Sequence, residues 1–193
     1  MTSSLTRYLI LPGWQGSGPE HWQTHWQQVL PNTTRVEQAD WQHPDPHAWI
    51  DRLEHAITAE PTPVILIAHS LGCITVAHWA SRSKARSLAQ VRGALLVAPA
   101  DVERENCPPA LQGFAPIPQQ PLPFPSLLVG SSNDPAASPQ RAIELSQSWA
   151  SHSVILEQAG HINVSAGFTH WSGGFRYLYQ LQHFIEQQAR QRA

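Results

Sequence analysis

Short apolar runs recur along the chain, separated by stretches in which apolar residues return every three or four positions. The segments 7–12 (RYLILP), 63–68 (PVILIA), 91–99 (VRGALLVAP), 123–131 (PFPSLLVGS) and 151–160 (SHSVILEQAG) read as strands, with 33–39 (TTRVEQA) as a weaker one. Runs that are apolar throughout suit a parallel sheet covered on both faces. Between them lie helical patterns. Residues 17–30 predict a helix with Ser17 and Glu20 as a capping box and Trp22, Trp26 and Val29 on one face. Residues 45–58 place Trp49, Leu53 and Ile57 one above another. Further helices are expected over 71–85, over 138–150 with Ser138 as cap and Pro139 at the first position, and over 173–192. Six strands alternating with helices predict a three-layer α/β domain around a mostly parallel sheet.

The segment 101–125 breaks this rhythm with clustered prolines and the apolar residues Leu111, Phe114 and Ile117. A connection this long is often functional. It is expected either to shape a pocket or to hold a short helix over the sheet. The chain of 193 residues suits one domain over 1–193. A domain of that size buries roughly 70% of its extended surface, enough to need no disulfide or metal. Charged residues make up 13% of the chain and the net charge is -2. No Lys/Arg cluster marks a nucleic-acid surface. No run of 18 or more apolar residues predicts a membrane span. The start reads as a first strand, not a signal peptide, so a cytoplasmic location is expected. Cys73 and Cys107 form no Cys-x-x-Cys pair, and Cys73 reads as a buried thiol.

Chemistry gathers after the strands. In an open α/β sheet, ligands bind beyond the carboxyl ends of the strands. Ser70 follows the third strand in AHSLG, with Gly72 permitting a very tight strand-to-helix turn. Asp134 follows the fifth strand in GSSNDP, and His161 the sixth in EQAGHIN. Ser, then Asp, then His, each at a strand end, is the chain order of α/β serine hydrolases. Serine needs a base, and the base an orienting carboxylate. Asp101 after the fourth strand is the alternative acid, and Ser131 or Ser132 are expected to hydrogen-bond near Asp134. Glu157 is expected inside the sixth strand and turned away. His69 is weighed as an alternative base and expected instead to satisfy a local backbone group or line the pocket. Backbone N–H groups of Leu71 and, from the loop PGWQGSG, of Trp14 are the expected oxyanion donors. Trp14 and Trp171 are candidate pocket walls.

Other chemistry fits poorly. GWQGSG lacks the G-K-[ST] of a phosphate loop. His21 and His25 sit four apart but lack a third ligand, so no metal is expected. The remaining tryptophans, Trp22, Trp26, Trp49, Trp79 and Trp149, are expected in the core.

Taken together, LPGWQGSGPEHWQTHW, IAHSLGC, GSSNDP and AGHINVSAGFTHWSGG make the chain resemble the small α/β serine hydrolases related to retinoblastoma-binding protein 9 and bacterial YdeN. The resemblance spans nearly the whole chain. It implies a minimal α/β-hydrolase fold with a six-stranded parallel sheet in the order 2-1-3-4-5-6. It also implies Ser70 as nucleophile, Asp134 as acid and His161 as base, with oxyanion donors near Trp14 and Leu71. Ser172 stands where relatives often have proline. The L-x-C-x-E segment that retinoblastoma binding uses is missing, so that role does not carry over. The expectation is a serine hydrolase without cofactor, acting on a small or medium carboxylic ester or amide, with a further protein partner left unspecified. The alternative is a protein-binding module that keeps the fold with little turnover.

Overall fold

Successive side chains of a strand point to opposite faces, and here the strands fill two separate cores. The computed structural model describes residues 6–192. The opening residues 1–5, and with them the reading of the start as free of a signal peptide, lie outside the described residues. Six strands, β1 (Arg7–Leu11), β2 (Thr33–Arg35), β3 (Val64–His69), β4 (Val91–Val97), β5 (Ser126–Ser131) and β6 (His152–Leu156), form one sheet in the order β2-β1-β3-β4-β5-β6. Every pairing is parallel. The expected fold class and strand order are therefore those observed.

One face of the sheet presents Leu9, Leu11, Leu66, Ala68, Leu96 and Leu128 to helices α2 (Pro46–Thr58), α3 (Leu71–Arg82) and α5 (Pro139–Ser148). The other presents Tyr8, Ile10, Ile65, Ile67, Val97 and Val129 to α1 (Trp22–Val29) and α6 (Phe175–Arg192). Burial on both faces explains why β3 carries no polar position before His69. Trp22, Trp26, Trp49, Trp79 and Trp149 are all buried, as expected. So is Cys73, whose thiol burial holds well above its ordinary pKa.

Two boundaries and one face assignment differ from the sequence pattern. Helix α1 starts at Trp22 under a His21 cap, because the Ser17 hydroxyl is spent on the Gln23 side chain instead of a helix N–H. Val29 is 66% exposed and leaves the Trp22–Trp26 face. The helix expected over 71–85 breaks at Ser83, whose backbone is extended, and a short α4 (Ala85–Leu88) follows.

Residues 101–125 contain a 3-10 helix (Pro109–Phe114). Phe114 packs on Trp49 and Phe124 on Trp79, while the His78 Nε2–H donates to the Phe114 carbonyl at 2.7 Å. Most of this segment thus covers α2 and α3.

Arg7 works at the end of the sheet opposite Ser70. Its buried guanidinium donates to the carbonyls of Ala56 (3.3 Å) and Ile57 (3.0 Å) in the last turn of α2, and to Glu60 (3.4 Å). These carbonyls have no partner within the helix. Arg7→Met leaves them unmet, and we expect a loss of about 2–3 kcal/mol in urea denaturation.

Candidate active site

Gly72 decides the local geometry. A Cβ there would lie 2.4 Å from the Leu11 carbonyl oxygen and 2.9 Å from that of Pro12. Only glycine lets the head of α3 press against the end of β1. Ser70, between β3 and α3, is held at φ 55°, ψ -121°, a region L-residues rarely adopt. Its N–H is bonded to the Val97 carbonyl at 3.0 Å and its carbonyl to the Cys73 N–H at 3.0 Å, so the turn is fixed from both sides. Gly13, in the loop after β1, lies directly on the serine: a Cβ there would meet Ser70 Cβ at 2.6 Å.

Three side chains from three strand ends meet here. The Ser70 Oγ lies 2.9 Å from His161 Nε2. The other ring nitrogen, Nδ1, lies 2.9 Å from both carboxylate oxygens of Asp134. A proton on Nδ1 donated to that carboxylate leaves Nε2 free to accept from the serine hydroxyl. The Asp134 side chain is 2% exposed and that of His161 is 16% exposed, so water weakens the pair little. Asp134 also accepts from the Ala136 N–H at 2.7 Å.

The loop carrying the histidine is stitched to the loop carrying the aspartate. Asn133 Oδ1 accepts from the Gly160 N–H at 2.7 Å, Ser131 Oγ from Ala159 at 3.0 Å and Ser132 Oγ from Gln158 at 2.9 Å. Ser131 also donates to Asn133 Oδ1 at 3.0 Å, so the expected serine hydrogen bonding near Asp134 is present, and both serines reach on to 158–159. Asp101 is engaged elsewhere: its carboxylate lies 3.3 Å from Arg141 Nε and accepts from the Glu103 N–H. Glu157 falls just past β6 and is exposed.

A cleft of about 490 Å³ opens over Ser70, and Trp14, His21, His69 and His161 line it. Trp14 is anchored by its indole N–H on the Gln42 carbonyl at 2.9 Å. Trp171 does not line the cleft. Its ring packs on Trp22 and Trp26 and against the backbone at Gly174, so it backs the wall from behind.

His69 is buried, and its bond is not local. Its Nε2–H donates to the carbonyl of His161 at 2.9 Å. Burial, followed by the charge His161 carries when protonated, holds its pKa well below the ordinary histidine range. A ring kept neutral in this way is a poor base, and it fixes the backbone of His161 instead.

Two residues of α1 and its cap join the site without having been singled out for it from the sequence. His21 lines the cleft beside His69, with ring centroids 4.9 Å apart. Burial first, then Arg35 and His161, lowers its pKa to about 4. Gln23 is fully buried and donates to the carbonyls of Leu11 (3.2 Å) and Ile67 (3.1 Å), which ties the ends of β1 and β3 together. A polar residue on the apolar side of a helix next to Trp22 and Trp26 was the available signal. His25 turns away from His21 and stacks on His170 at 3.9 Å. Among the described residues, no group of three His, Cys, Asp or Glu side chains is placed to hold a metal ion.

Two outcomes follow. Gly72→Ala forces the β1 loop off the head of α3, and we expect turnover to fall about 100-fold or more, since misplacements of about 1 Å carry that cost. His21 and His69 stay neutral when folded but take up protons near pH 6.5 when unfolded. The unfolded chain then binds more protons as pH falls, so stability drops with acid. Urea denaturation between pH 6.5 and about 4 is expected to show this loss, with a slope of up to about 1.4 kcal/mol per pH unit for each histidine. His21→Asn keeps the cap acceptor and should flatten the slope.

A family model described as "Serine hydrolase" matches residues 8–180. Among solved structures, a YdeN-like hydrolase from Pectobacterium atrosepticum is similar at 32% identity, over 95% of this chain and 94% of that one, with a TM-score of 0.82. The ydeN gene product of B. subtilis is 18% identical over 93% of this chain and all (100%) of that one, with a TM-score of 0.73. A thermophilic esterase from Thermogutta terrifontis is 13% identical over 95% and 92%, with a TM-score of 0.67. The last two show the shared fold alone. No match is found among curated proteins. The family match over most of the chain, on the α/β-hydrolase fold described above, means that this chain belongs to the serine hydrolase family and is related to the YdeN-like hydrolases.

Proposed function

We propose that the protein hydrolyses a small or medium carboxylic ester or amide through an acyl-enzyme on Ser70, with His161 as base and Asp134 as the orienting acid. The observation that carries this reading is one imidazole spanning 2.9 Å to the Ser70 Oγ and 2.9 Å to the Asp134 carboxylate. His161 Nε2 takes the hydroxyl proton while Oγ attacks the carbonyl carbon. The carbonyl oxygen becomes an oxyanion, received by the backbone N–H groups of Trp14 and Leu71. Gly13 against Ser70, and Leu71 as the first residue of α3, support these two donors. Asp134 steadies the imidazolium.

Collapse of the tetrahedral state breaks the bond to the leaving atom, which receives the proton from His161. Water then attacks the acyl-serine, His161 takes its proton, and the carboxylic acid departs with Ser70 restored. Each backbone donor is worth on the order of 3 kcal/mol in the transition state. The strained serine backbone supports the same reading, because strain of this kind persists where the surrounding structure over-determines it.

The esterase of Thermogutta terrifontis on the same fold adds support for ester substrates. Among the described residues no helix is long and apolar enough to cross a membrane. We also place the enzyme in the cytoplasm, a reading supported by Cys73 and Cys107 as free, buried thiols.

A fluorophosphonate probe tests the assignment. Wild-type protein is expected to be labelled and Ser70→Ala not. Asp134→Asn should slow acylation by about 10⁴-fold, as a lost orienting acid does elsewhere, while Asp101→Asn leaves it within about twofold because its carboxylate serves Arg141. Folded protein that resists the probe, or equal losses in the two variants, rejects the assignment.

A further inference from the structure

Two clefts meet at His161. The first holds Ser70. The second, of about 470 Å³, adjoins it and shares His161, Asn163 and Ser165. Their linings differ in charge. The first contains no formally charged side chain apart from the imidazoles, and His21 and His69 are held neutral there. The second contains one permanent charge, the guanidinium of Arg104.

Arg104 is set up to receive an anion. Its Nη1–H donates to the Asp101 carbonyl at 2.6 Å, and its own carbonyl accepts from the Cys107 N–H at 3.0 Å, which fix the side chain and its backbone. The nearby carboxylates of Asp101, Glu103 and Glu144 all converge on Arg141. Among the described residues none of them forms an ion pair with Arg104, and the Arg104 Nε–H is buried without an acceptor. A guanidinium whose charge no carboxylate of the described residues meets, on a residue lining a cleft beside His161, can pair with the carboxylate of a ligand.

The chemistry fixes which half of a substrate reaches it. His161 must return its proton to the leaving atom, so that atom lies against the imidazole. The rest of the leaving group then extends on the His161 side, where the second cleft begins. We propose that Arg104 is a specificity-determining residue that binds a carboxylate on the leaving-group half of the substrate, the alcohol or amine that departs. This rests on the hydrolase reading above. The preferred substrate is then an ester or amide of a hydroxy acid or amino acid whose own carboxylate is free.

The test compares 4-acetoxybenzoate with its methyl ester. Both are acetate esters, and they differ in whether the leaving phenol carries a charge. Their kcat/KM ratio is measured in the wild type, Arg104→Gln and Arg104→Lys. We expect the charged-over-neutral ratio to fall about 10-fold or more in Arg104→Gln, the range of a charge-assisted hydrogen-bonded pair. Arg104→Lys should keep part of it, since the charge remains and the fork is lost. The p-nitrophenyl hemisuccinate and butyrate esters place or omit a carboxylate on the acyl half, and their ratio should not respond to Arg104→Gln.

A charged-over-neutral ratio that is the same in wild type and Arg104→Gln overturns the proposal, and so does a response confined to the acyl-half pair. Turnover of the methyl ester by the wild type with an Arg104-independent ratio sinks this inference alone. A folded wild type that neither turns over the methyl ester nor takes the fluorophosphonate label sinks the hydrolase reading, and this inference with it.

Discussion

The approach of α3 to the end of β1 is the constraint on which the rest depends. Two carbonyls, those of Leu11 and Pro12, occupy the space that any side chain at position 72 would need. With glycine there, the helix begins within one residue of the strand. The serine in between is turned out of the sheet, and the loop after β1 comes down onto it. The buried Gln23 amide holds the same two strand ends from the side of α1. Ser70 is therefore positioned by backbone contacts that its own side chain does not make, and its hydroxyl is turned to His161.

Around that point the polar groups form a chain in which each member is fixed by the next. Asp134 and the Ala136 N–H set the carboxylate, the carboxylate sets the imidazole, and the imidazole meets the serine. His69 holds the histidine from its main chain, while Asn133, Ser131 and Ser132 hold the loop behind it. The low exposure of Asp134 and His161 makes the bond between them stronger than it would be in water and makes an unpaired member costly. Preorganisation of this kind suits a reaction whose charge appears only briefly, because no dipole has to turn as it develops.

Much of this was legible in the sequence, for a physical reason. A strand buried on both faces is largely apolar, so β3 stood out, and the residue types that bear chemistry fell just after strands, Ser70 after β3, Asp134 after β5 and His161 after β6. The order of strands within the sheet came from the resemblance to a family, since periodicity carries no information about which strand neighbours which. What escaped were pairings between remote residues. The Ser17–Glu20 spacing looks like a capping box, yet the Ser17 hydroxyl reaches a glutamine side chain six positions on. The spacing of His21 and His25 predicts no metal site, and nothing in it shows that His21 stands beside His69 while His25 stacks on His170. Trp171 sits near His161 in sequence but belongs to the aromatic layer over α1. Arg104 lies in a proline-rich segment that gives no local sign of sharing a cleft with His161.

The central claim is that a covalent acyl group passes through Ser70. The most direct measurement is acid quenching during turnover of p-nitrophenyl acetate, followed by peptide mapping by mass spectrometry. An acetyl group on the peptide containing Ser70, missing when His161 is replaced by alanine, is the predicted result. Sustained ester turnover with the acetyl group on another residue would contradict it.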